Sequence, residues 1–421
     1  MSPRSFRDPI HGFIPVSDAE CELLDTTPFV RLRSVRQLAL TNLVYHGAEH
    51  SRFGHSIGVM HQSTETFDSV ISSRDLGWDN KDVDRRRQLL RLASLCHDLG
   101  HSPFSHAGEE GGLMPNDHED YSAAIVMATE GKASEVRQVI ESNADSFFGV
   151  TPENVADVIL GRALGLDVFL SEMMSGELDS DRTDYLQRDS LYCGVRYGRF
   201  DNDRLTKTLT WTEEITGGNP VLAIHEDGVH AAEGLLLARY FMFTQVYFHR
   251  VRRAYDHHLS RALQGILPAG KYPDKDHLDE YLDWDDLRVF SELRKIAGDE
   301  SVAARHAARI LRRQHYRVAY STNEHPSSGH LRRWEMLCSR VSEAFGDDVA
   351  YFDAANKLPH KLRAAPQDFP VVRDSGGPTS LEEESALIDR LEELKVRRIL
   401  APKELVPKIR AYCEEQNLNV R

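Results

Sequence analysis

Residues 92–119 read LASLCHDLGHSPFSHAGEEGGLMPNDHE, and the interpretation of the whole chain starts from this stretch. Leu92, Cys96 and Leu99 recur on one apolar face, which predicts a helix that ends at Gly100. Four of the chain's 20 histidines follow each other here. Histidines and carboxylates gathered at the end of a helix are typical of a metal centre or an acid–base site. The alternative is a group of histidines that only cap the helix and fill the core.

Composition limits the classes of function that the chain can have. It has 421 residues, of which 41% are hydrophobic and 28% charged, with a formal net charge of −15. This length predicts one large domain with appended segments. The acidic balance argues against nucleic acid or an anionic membrane as the main partner, because both require a basic surface. The sequence has no signal peptide and no run of about 20 apolar residues that would span a bilayer. Five scattered cysteines without a CxxC pair predict a cytoplasmic protein without disulfides.

Helical periodicity dominates, so the predicted fold class is mainly α, with a small β-hairpin element and a helical C-terminal lobe. The hairpin is expected at residues 6–16, where proline and glycine interrupt alternating apolar residues. Residues 80–85 are expected to form a charged turn before the central helix. Residues 235–263 are predicted to form one long helix, and residues 301–346 are predicted to be helical.

The composition of the second half suggests where the chain divides. DSGGP at residues 374–378 is the strongest linker candidate, since it is rich in turn-forming residues. The predicted divisions are a core at residues 1–265, a helical C-terminal lobe at residues 266–372, and a linker with a divergent tail at residues 373–421.

Two other stretches offer ligands to a centre at His97 and Asp98. His55 lies at the start of an amphipathic helix, and ELDSDRTDYLQRD at residues 177–189 contains Asp181 among several carboxylates. Carboxylates at this density are equally typical of a solvated helix face. Two histidines with two aspartates suit Mg, Mn, Fe or Zn, so the ligand types do not select the metal. Such an ion lowers the pKa of bound water towards about 7 and supplies hydroxide.

Five motifs occur in a fixed order: DPIHG at 8–12, PFVRLRSVRQL at 28–38, SRFGHSIGV at 51–59, CHDLGHSPFSH at 96–106 and DSDRTDYLQRDS at 179–190. Together they resemble the HD-domain dNTP triphosphohydrolase family, which includes bacterial dGTPases and SAMHD1-like enzymes. The resemblance covers about residues 6–260. It implies an HD-domain helical bundle that cleaves a dNTP to deoxynucleoside and triphosphate, with metal hydroxide attacking the α-phosphorus.

The resemblance also implies a role for particular residues. The implied metal ligands are His55, His97, Asp98 and Asp181. The implied catalytic residues are His101, His106, Glu109 and His118. Either His101 or His118 is expected to protonate the leaving 5′ oxygen, with Glu109 orienting the imidazole.

The implied substrate-binding residues are Gln37, Leu38, Arg52, Arg182, Tyr185, Asp189, His249 and Arg253. The first two are expected to read the sugar edge, and Tyr185 and Asp189 are expected to lie beside the sugar. The arginines and His249 are expected to neutralise the triphosphate. A basic helix at the surface that touches no ligand is the alternative for His249 and Arg253.

The resemblance implies nucleotide regulation, but one residue of the activating site differs in this sequence. SAMHD1-like enzymes are activated by nucleotides between subunits, through an Asp and a Gln–Arg pair. Asp25 and Arg33 are present here, but Val30 occupies the Gln position. The expectation is a homo-oligomer, dimer or tetramer, with a nucleotide effector but without guanine-specific activation. Two other functions stay open: an HD phosphatase or phosphodiesterase acting on another nucleotide, and a nucleotide-sensing subunit that acts through a partner.

Overall fold

Helices form most of the protein. The computed structural model describes residues 4–213, 220–346, 349–358, 369–377 and 379–418. The helices of the first half are α1 (Asp18–Leu24), α2 (Thr27–Leu32), α3 (Arg52–Ser73), α4 (Asn80–Cys96), α5 (His106–Glu109), α6 (His118–Met127), α7 (Ser134–Ser142), α8 (Pro152–Ile159), α9 (Val168–Ser175), α10 (Ser180–Cys193) and α11 (Asn202–Thr208). Those of the second half are α12 (Val229–Met242), α13 (Arg250–Ile266), α14 (Leu278–Leu282), α15 (Asp286–Ile296), α16 (Val302–Leu311), α17 (Ser328–Phe345), α18 (Leu381–Glu384), α19 (Ala386–Asp389) and α20 (Val406–Leu418). The predicted mainly α class is therefore confirmed.

Within the described residues, short strands form three small sheets. The strands are β1 (Arg4–Asp8), β2 (Gly12–Val16), β3 (Leu209–Thr212), β4 (Val221–His225), β5 (Arg317–Ser321), β6 (Tyr351–Lys357), β7 (Pro370–Val372), β8 (Thr379–Ser380) and β9 (Leu394–Ala401). β1 and β2 form an antiparallel hairpin. The second sheet has the order β3-β4-β7-β8, and the third has the order β5-β9-β6.

The hairpin lies where the sequence predicts it, and its turn explains the DPIHG motif. Asp8 Oδ1 accepts hydrogen bonds from the backbone N–H groups of Ile10 (2.8 Å) and His11 (3.1 Å). Gly12 has φ +77°, a conformation that residues with a side chain rarely adopt. The turn presents His11 towards the helices behind it.

The core is built around α3, which packs against α4 on one side and α10 on another. Gly58 of α3 leaves no room for a side chain against α10. A Cβ there would lie 2.0 Å from Asp184 Oδ1 and 2.3 Å from Arg188 Nη2. Only glycine lets α10 bring these charged side chains against α3. Their position beside α3 is what builds the candidate site.

Two helix predictions were wrong, each for a local reason. Residues 80–85 form the first turn of α4 and not a separate turn, because Asp79 Oδ1 caps it by accepting from the Asp82 N–H at 2.9 Å. The long helix predicted from Leu235 to Leu263 is divided into α12 and α13 by a π-helical turn at Phe243–Tyr247.

The C-terminal half holds more strand structure than predicted. The helix expected over residues 301–346 is interrupted by β5. β9 lies between β5 and β6, and β7 pairs in parallel with β4. The proposed boundary at residue 265 falls at the end of α13, and Pro378 of the predicted linker lies outside the described residues. The division into domains stays a prediction.

Candidate metal centre

Three separate helices bring the four predicted ligands together. His55 lies in the first turn of α3, His97 and Asp98 follow the last residue of α4, and Asp181 lies in the first turn of α10. His55 Nε2 is 2.9 Å from Asp181 Oδ1 and 3.6 Å from Asp98 Oδ2. His97 Nε2 is 3.3 Å from Asp98 Oδ1 and 3.8 Å from Asp181 Oδ1. One ligand atom each from His55, His97 and Asp98 lies within 4.8 Å of the other two.

The donors of this cluster fit a cation. His97 Nδ1 contacts the Ser94 carbonyl oxygen at 2.7 Å, which assigns its proton to Nδ1 and leaves a lone pair on Nε2. That Nε2 is buried and has no hydrogen-bond partner, although two carboxylates lie close to it. Two ring nitrogens and two carboxylates would hold a divalent ion of the first transition series or Mg²⁺.

Asp184 was one of the carboxylates that the 177–189 stretch offered, but it was given no role, and in the structure it orients His55. Its Oδ2 is 2.7 Å from His55 Nδ1, on the side of the ring opposite Asp181. Burial disfavours a charged ring, but the hydrogen bonds to Asp181 and Asp184 outweigh it and raise the pKa of His55 to about 10. A carboxylate behind a ligating histidine is a recurring support for metal sites.

Asp184 is itself held by a buried network that reaches the hairpin. Arg188 donates to both oxygens of Asp184 at 2.8 Å, and His11 Nε2 contacts Asp184 Oδ1 at 2.7 Å. Arg188 also donates to Asp8 Oδ2 at 2.8 Å. Burial alone would raise the pKa of Asp184, but the charge of Arg188 holds that pKa well below its ordinary value. The hairpin thus supports the metal centre from behind.

Asp98 is fixed in a similar way on the other side. Arg52 Nη1 donates to Asp98 Oδ2 at 2.7 Å, and Arg52 Nε donates to Ser105 Oγ at 2.7 Å. Burial favours the neutral acid, but the charge of Arg52 keeps the pKa of Asp98 well below its ordinary value. Arg52 was predicted to bind triphosphate, but in this structure it is paired with Asp98, a candidate metal ligand.

The loop after α4 places a second histidine group next to the ligands. His101 Nε2 is 3.2 Å from Asp98 Oδ1, and its Nδ1 is 2.6 Å from Glu109 Oε1. His118 stacks on the His101 ring at 3.7 Å between centroids. His106 Nδ1 contacts Glu109 Oε2 at 3.0 Å, although the His106 side chain is 66% exposed.

The electrostatics separate the roles of these groups. Burial alone would raise the pKa of Glu109. The charge of His101 outweighs burial and holds that pKa well below its ordinary value. Burial and the neighbouring charge of His101 hold the pKa of His118 well below its ordinary value, so that ring is neutral at pH 7. His101 therefore lies between two carboxylates, those of Asp98 and Glu109.

Residues far apart in the sequence hold this loop. Arg31 donates to the carbonyl oxygen of His101 at 2.8 Å, and Asp286 Oδ1 accepts from the N–H of Phe104 at 2.7 Å. Phe104 and Ser105 both have positive φ, at 61° and 54°. Such strained backbone is kept only where the surroundings enforce it, and it is common at functional sites.

Of the predicted substrate residues, Gln37, Leu38 and Asp189 are buried and Tyr185 is partly buried. Gln37 and Leu38 lie in the turns before α3, and Gln37 Oε1 is buried without a hydrogen-bond partner. Tyr185 lies between His55 and Tyr247, with ring centroids 6.5 and 6.3 Å away.

Asp189 has both oxygens engaged. Its Oδ1 is 2.7 Å from His50 Nε2, and its Oδ2 accepts from the Tyr247 hydroxyl at 2.7 Å. His50 and Tyr247 were not identified from the sequence.

The other basic residues that were predicted to bind phosphate already have partners in the protein. Arg182 donates to the carbonyl oxygens of Gly176 and Glu177 and lies 3.4 Å from Asp179 Oδ2. Arg253 pairs with Glu110 and Asp353, at 2.5 and 2.9 Å. His249 caps α13, with Nδ1 3.3 Å from the N–H of Val251. In this structure the charges of Arg182 and Arg253 are already balanced by carboxylates.

Two family descriptions match separate parts of this chain. Residues 52–166 match the HD domain, and residues 200–400 match the HD associated region. The protein YwfO of Bacillus subtilis, described as uncharacterized, is 31% identical over 95% of this chain and 92% of its own length. The chain belongs to the HD-domain phosphohydrolase family. In this HD domain, His55, His97 and Asp98 lie inside the matched region, whereas Asp181 lies beyond it.

Two further relatives extend the comparison. A SAMHD1 homolog of Dictyostelium discoideum, named a deoxynucleoside triphosphate triphosphohydrolase, is 34% identical over 46% of this HD-domain chain and 37% of its own length. The crystal structure of a hypothetical protein from Aquifex aeolicus is 32% identical, with a TM-score of 0.80 over 97% of this chain and 99% of the other. Among the described residues, none of the helices combines the length and apolar character that crossing a membrane requires.

Proposed function

We propose that this HD-domain hydrolase is a metal-dependent dNTP triphosphohydrolase that releases deoxynucleoside and intact triphosphate. The observation that carries the proposal is the contact of the His101–Glu109 pair with the ligand Asp98, which puts an acid–base group next to the centre. The similarity to a named triphosphohydrolase supports the choice of substrate.

The proposed centre is held by His55, His97, Asp98 and Asp181. A divalent ion bound there lowers the pKa of water and provides hydroxide near neutral pH. Asp184 accepts the Nδ1 proton of His55, and the Ser94 carbonyl accepts that of His97, so each ring directs Nε2 inward. His55 would give up the proton that Nε2 shares with Asp181 when the ion binds. The chain therefore fixes the direction of its own ligands.

His101 is the residue that we assign as general acid. Glu109 is ionised and accepts the Nδ1 proton of His101, which leaves Nε2 as the ring nitrogen that would deliver a proton to the leaving 5′ oxygen. The neutral His118 stacked on this ring restricts its rotation. His106, which is mostly exposed, is assigned to the entrance of the site.

For the substrate, we assign Gln37 and Leu38 to the sugar edge. The side-chain oxygen Oε1 of Gln37 is buried without a hydrogen-bond partner and could accept from a hydroxyl group. Tyr185 and Asp189 would flank the sugar. Arg52, Arg182, His249 and Arg253 are assigned to the phosphates, although several of them would first exchange their present partners. A homo-oligomer, dimer or tetramer, with a nucleotide effector remains part of the proposal.

The internal pairing of these arginines favours a second candidate, an HD phosphatase or phosphodiesterase that acts on a nucleotide with fewer phosphates. Product analysis separates the two. The protein is loaded with Mg²⁺, Mn²⁺, Fe²⁺ or Zn²⁺ and incubated with each dNTP and NTP, alone and in mixtures, and separately with nucleoside monophosphates and nucleotide diesters. Anion-exchange chromatography should show triphosphate and deoxynucleoside. Release of single phosphate, or activity only on monophosphates or diesters, would contradict the proposal.

A further inference from the structure

A third group of histidines lies outside the candidate metal centre, where α13 packs against α16. His257 and His258 lie on α13, and His306 lies on α16. A ring nitrogen from each of the three lies within 4.8 Å of those of the other two. The Nδ1 atoms of His258 and His306 are only 2.9 Å apart. These three residues are named the α13–α16 cluster below.

We propose that the α13–α16 cluster is a second metal site, which binds a transition-metal ion such as Zn²⁺ through its three imidazoles. Imidazole is a preferred ligand of zinc, copper, iron and nickel ions. Two nitrogens bound tetrahedrally to one zinc ion, at about 2.0–2.1 Å each, lie about 3.3 Å apart. The His258–His306 pair is therefore only a few tenths of an ångström from that separation.

The protonation of the cluster suits metal binding. Burial lowers the pKa of His257 to about 3 and lowers that of His258 further, with His306 acting in the same direction. Neutral imidazoles offer the lone pairs that a metal requires. One proton bridges the two Nδ1 atoms in this structure. Metal binding would move that proton to an Nε2 atom, so that both Nδ1 lone pairs could bind the ion.

The neighbouring charges select the kind of ion. The guanidinium groups of Arg253, Arg261 and Arg309 contribute to lowering the pKa of these rings, so they also oppose a bound cation. Hard ions such as Mg²⁺ and Ca²⁺ prefer oxygen ligands and gain little from imidazole. In this field an ion would be held through its bonds to the imidazole nitrogens, which favours a transition metal.

The surroundings allow entry and give the site a structural role. His258 and His306 are buried, whereas His257 is half-buried and stacks on Tyr351 of β6 at 4.3 Å. An ion enters past His257, and water completes its coordination. Binding would fasten α13 to α16, and α13 also holds Glu110, next to Glu109, through Arg253.

The test counts zinc in the full chain after stripping with a chelator, reloading with Zn²⁺ and gel filtration. We expect two equivalents per chain, one in His97→Ala, one in His306→Gln, and none above background in the double variant. His315→Gln is the matched control, because His315 lies nearby but outside the cluster, and it should retain two. Co²⁺ reloaded into His97→Ala should give a visible d–d spectrum that disappears in the double variant.

The two metal proposals fail separately in this design. Unchanged zinc in His306→Gln and in a second variant, His258→Gln, would overturn the α13–α16 site. Unchanged zinc in His97→Ala would instead contradict the proposed HD centre. Circular dichroism of each variant identifies loss of fold, and a rise in Tm with Zn²⁺ in His97→Ala that is absent from the double variant would support the second site independently of activity.

Discussion

The two sides of the candidate metal centre differ in how their polar groups are held. On the back, Asp8, His11, Asp184 and Arg188 form a buried network with contacts of 2.7–2.8 Å. On the front, His101 lies in the loop after α4, His106 and Glu109 lie in α5, and His118 begins α6. The backbone between His101 and α5 is strained at Phe104 and Ser105, and the His106 side chain is 66% exposed. The back has fixed partners for its charges, whereas the front has groups that can exchange protons with a ligand.

This difference suggests a division of work. A buried, fully paired network is suited to orienting ligands, because any rotation would leave a charge unpaired. Stacked imidazoles with a carboxylate are suited to proton transfer. Variants of the back should therefore weaken metal binding, and variants of the front should slow the chemical step.

The largest effect is expected from removing a proposed metal ligand, because the back and the front of the centre both depend on the bound ion. His97→Ala and Asp98→Ala should each remove the metal of this centre and all measurable hydrolysis, because the remaining donors are too few to hold the ion. Metal analysis and product chromatography measure both. His230→Ala, at a surface position, is the control and should change neither. Turnover retained in both ligand variants would contradict the proposed centre.

The next effect concerns the front. His101→Ala should keep the metal and lower kcat by about 10²- to 10⁴-fold, the range that general acid catalysis contributes. His118→Ala, which removes only the stacked neutral ring, should lower kcat less. An ester with a p-nitrophenolate leaving group needs no proton, so it should restore much of the rate in His101→Ala. If His118→Ala is the variant that this ester rescues, the acid is His118.

A smaller effect is expected from the back. Asp184→Asn removes the charge that holds His55. It should weaken metal affinity by about 10- to 100-fold, the usual effect of losing a carboxylate that is hydrogen-bonded to a metal-binding histidine. Titration with Mn²⁺ against activity measures this, and saturating metal should restore most of kcat. Asp203→Asn on the exposed part of α11 is the matched control. An unchanged affinity in Asp184→Asn would show that the back does not position His55.

The smallest effect is on stability. Gly58→Ala places a methyl group within 2.3 Å of Asp184 and Arg188, and should lower the free energy of unfolding by about 1–3 kcal/mol. Gly298→Ala, which meets no atom within 4 Å, should change it by less than about 0.5 kcal/mol. Urea denaturation compares the two. Equal values would mean that the back of the centre tolerates repacking.

The sequence predicted that four candidate metal ligands lie together, but it did not predict the side chains that hold them, and the reason is geometric. The spacing of His97 and Asp98 at a helix end is a local pattern, and Asp181 stands out in the motif around it. Asp184 lies only three residues later, but its contact with the opposite nitrogen of His55 depends on how α10 is rotated against α3. That rotation is set by the close approach at Gly58.

Long side chains were the least predictable. Arg182 was assigned to phosphate from its place in a motif, yet it bonds backbone carbonyls and lies near carboxylates just before it. Arg31 was not assigned at all, although it holds the carbonyl of His101. The mainly α class follows from periodicity, whereas β9 was missed because its LKVRRILA sequence gives no clear alternation and its partners are distant.

The order β5-β9-β6 has a consequence for how the protein is made. β5 and β6 leave the ribosome first, and neither pairs with the other in the finished sheet. Both keep an open edge until β9 is translated, and open edges recruit strands from other chains. During synthesis this stage is the one most exposed to aggregation, so slow translation of the codons before Leu394 should lower the yield of folded protein.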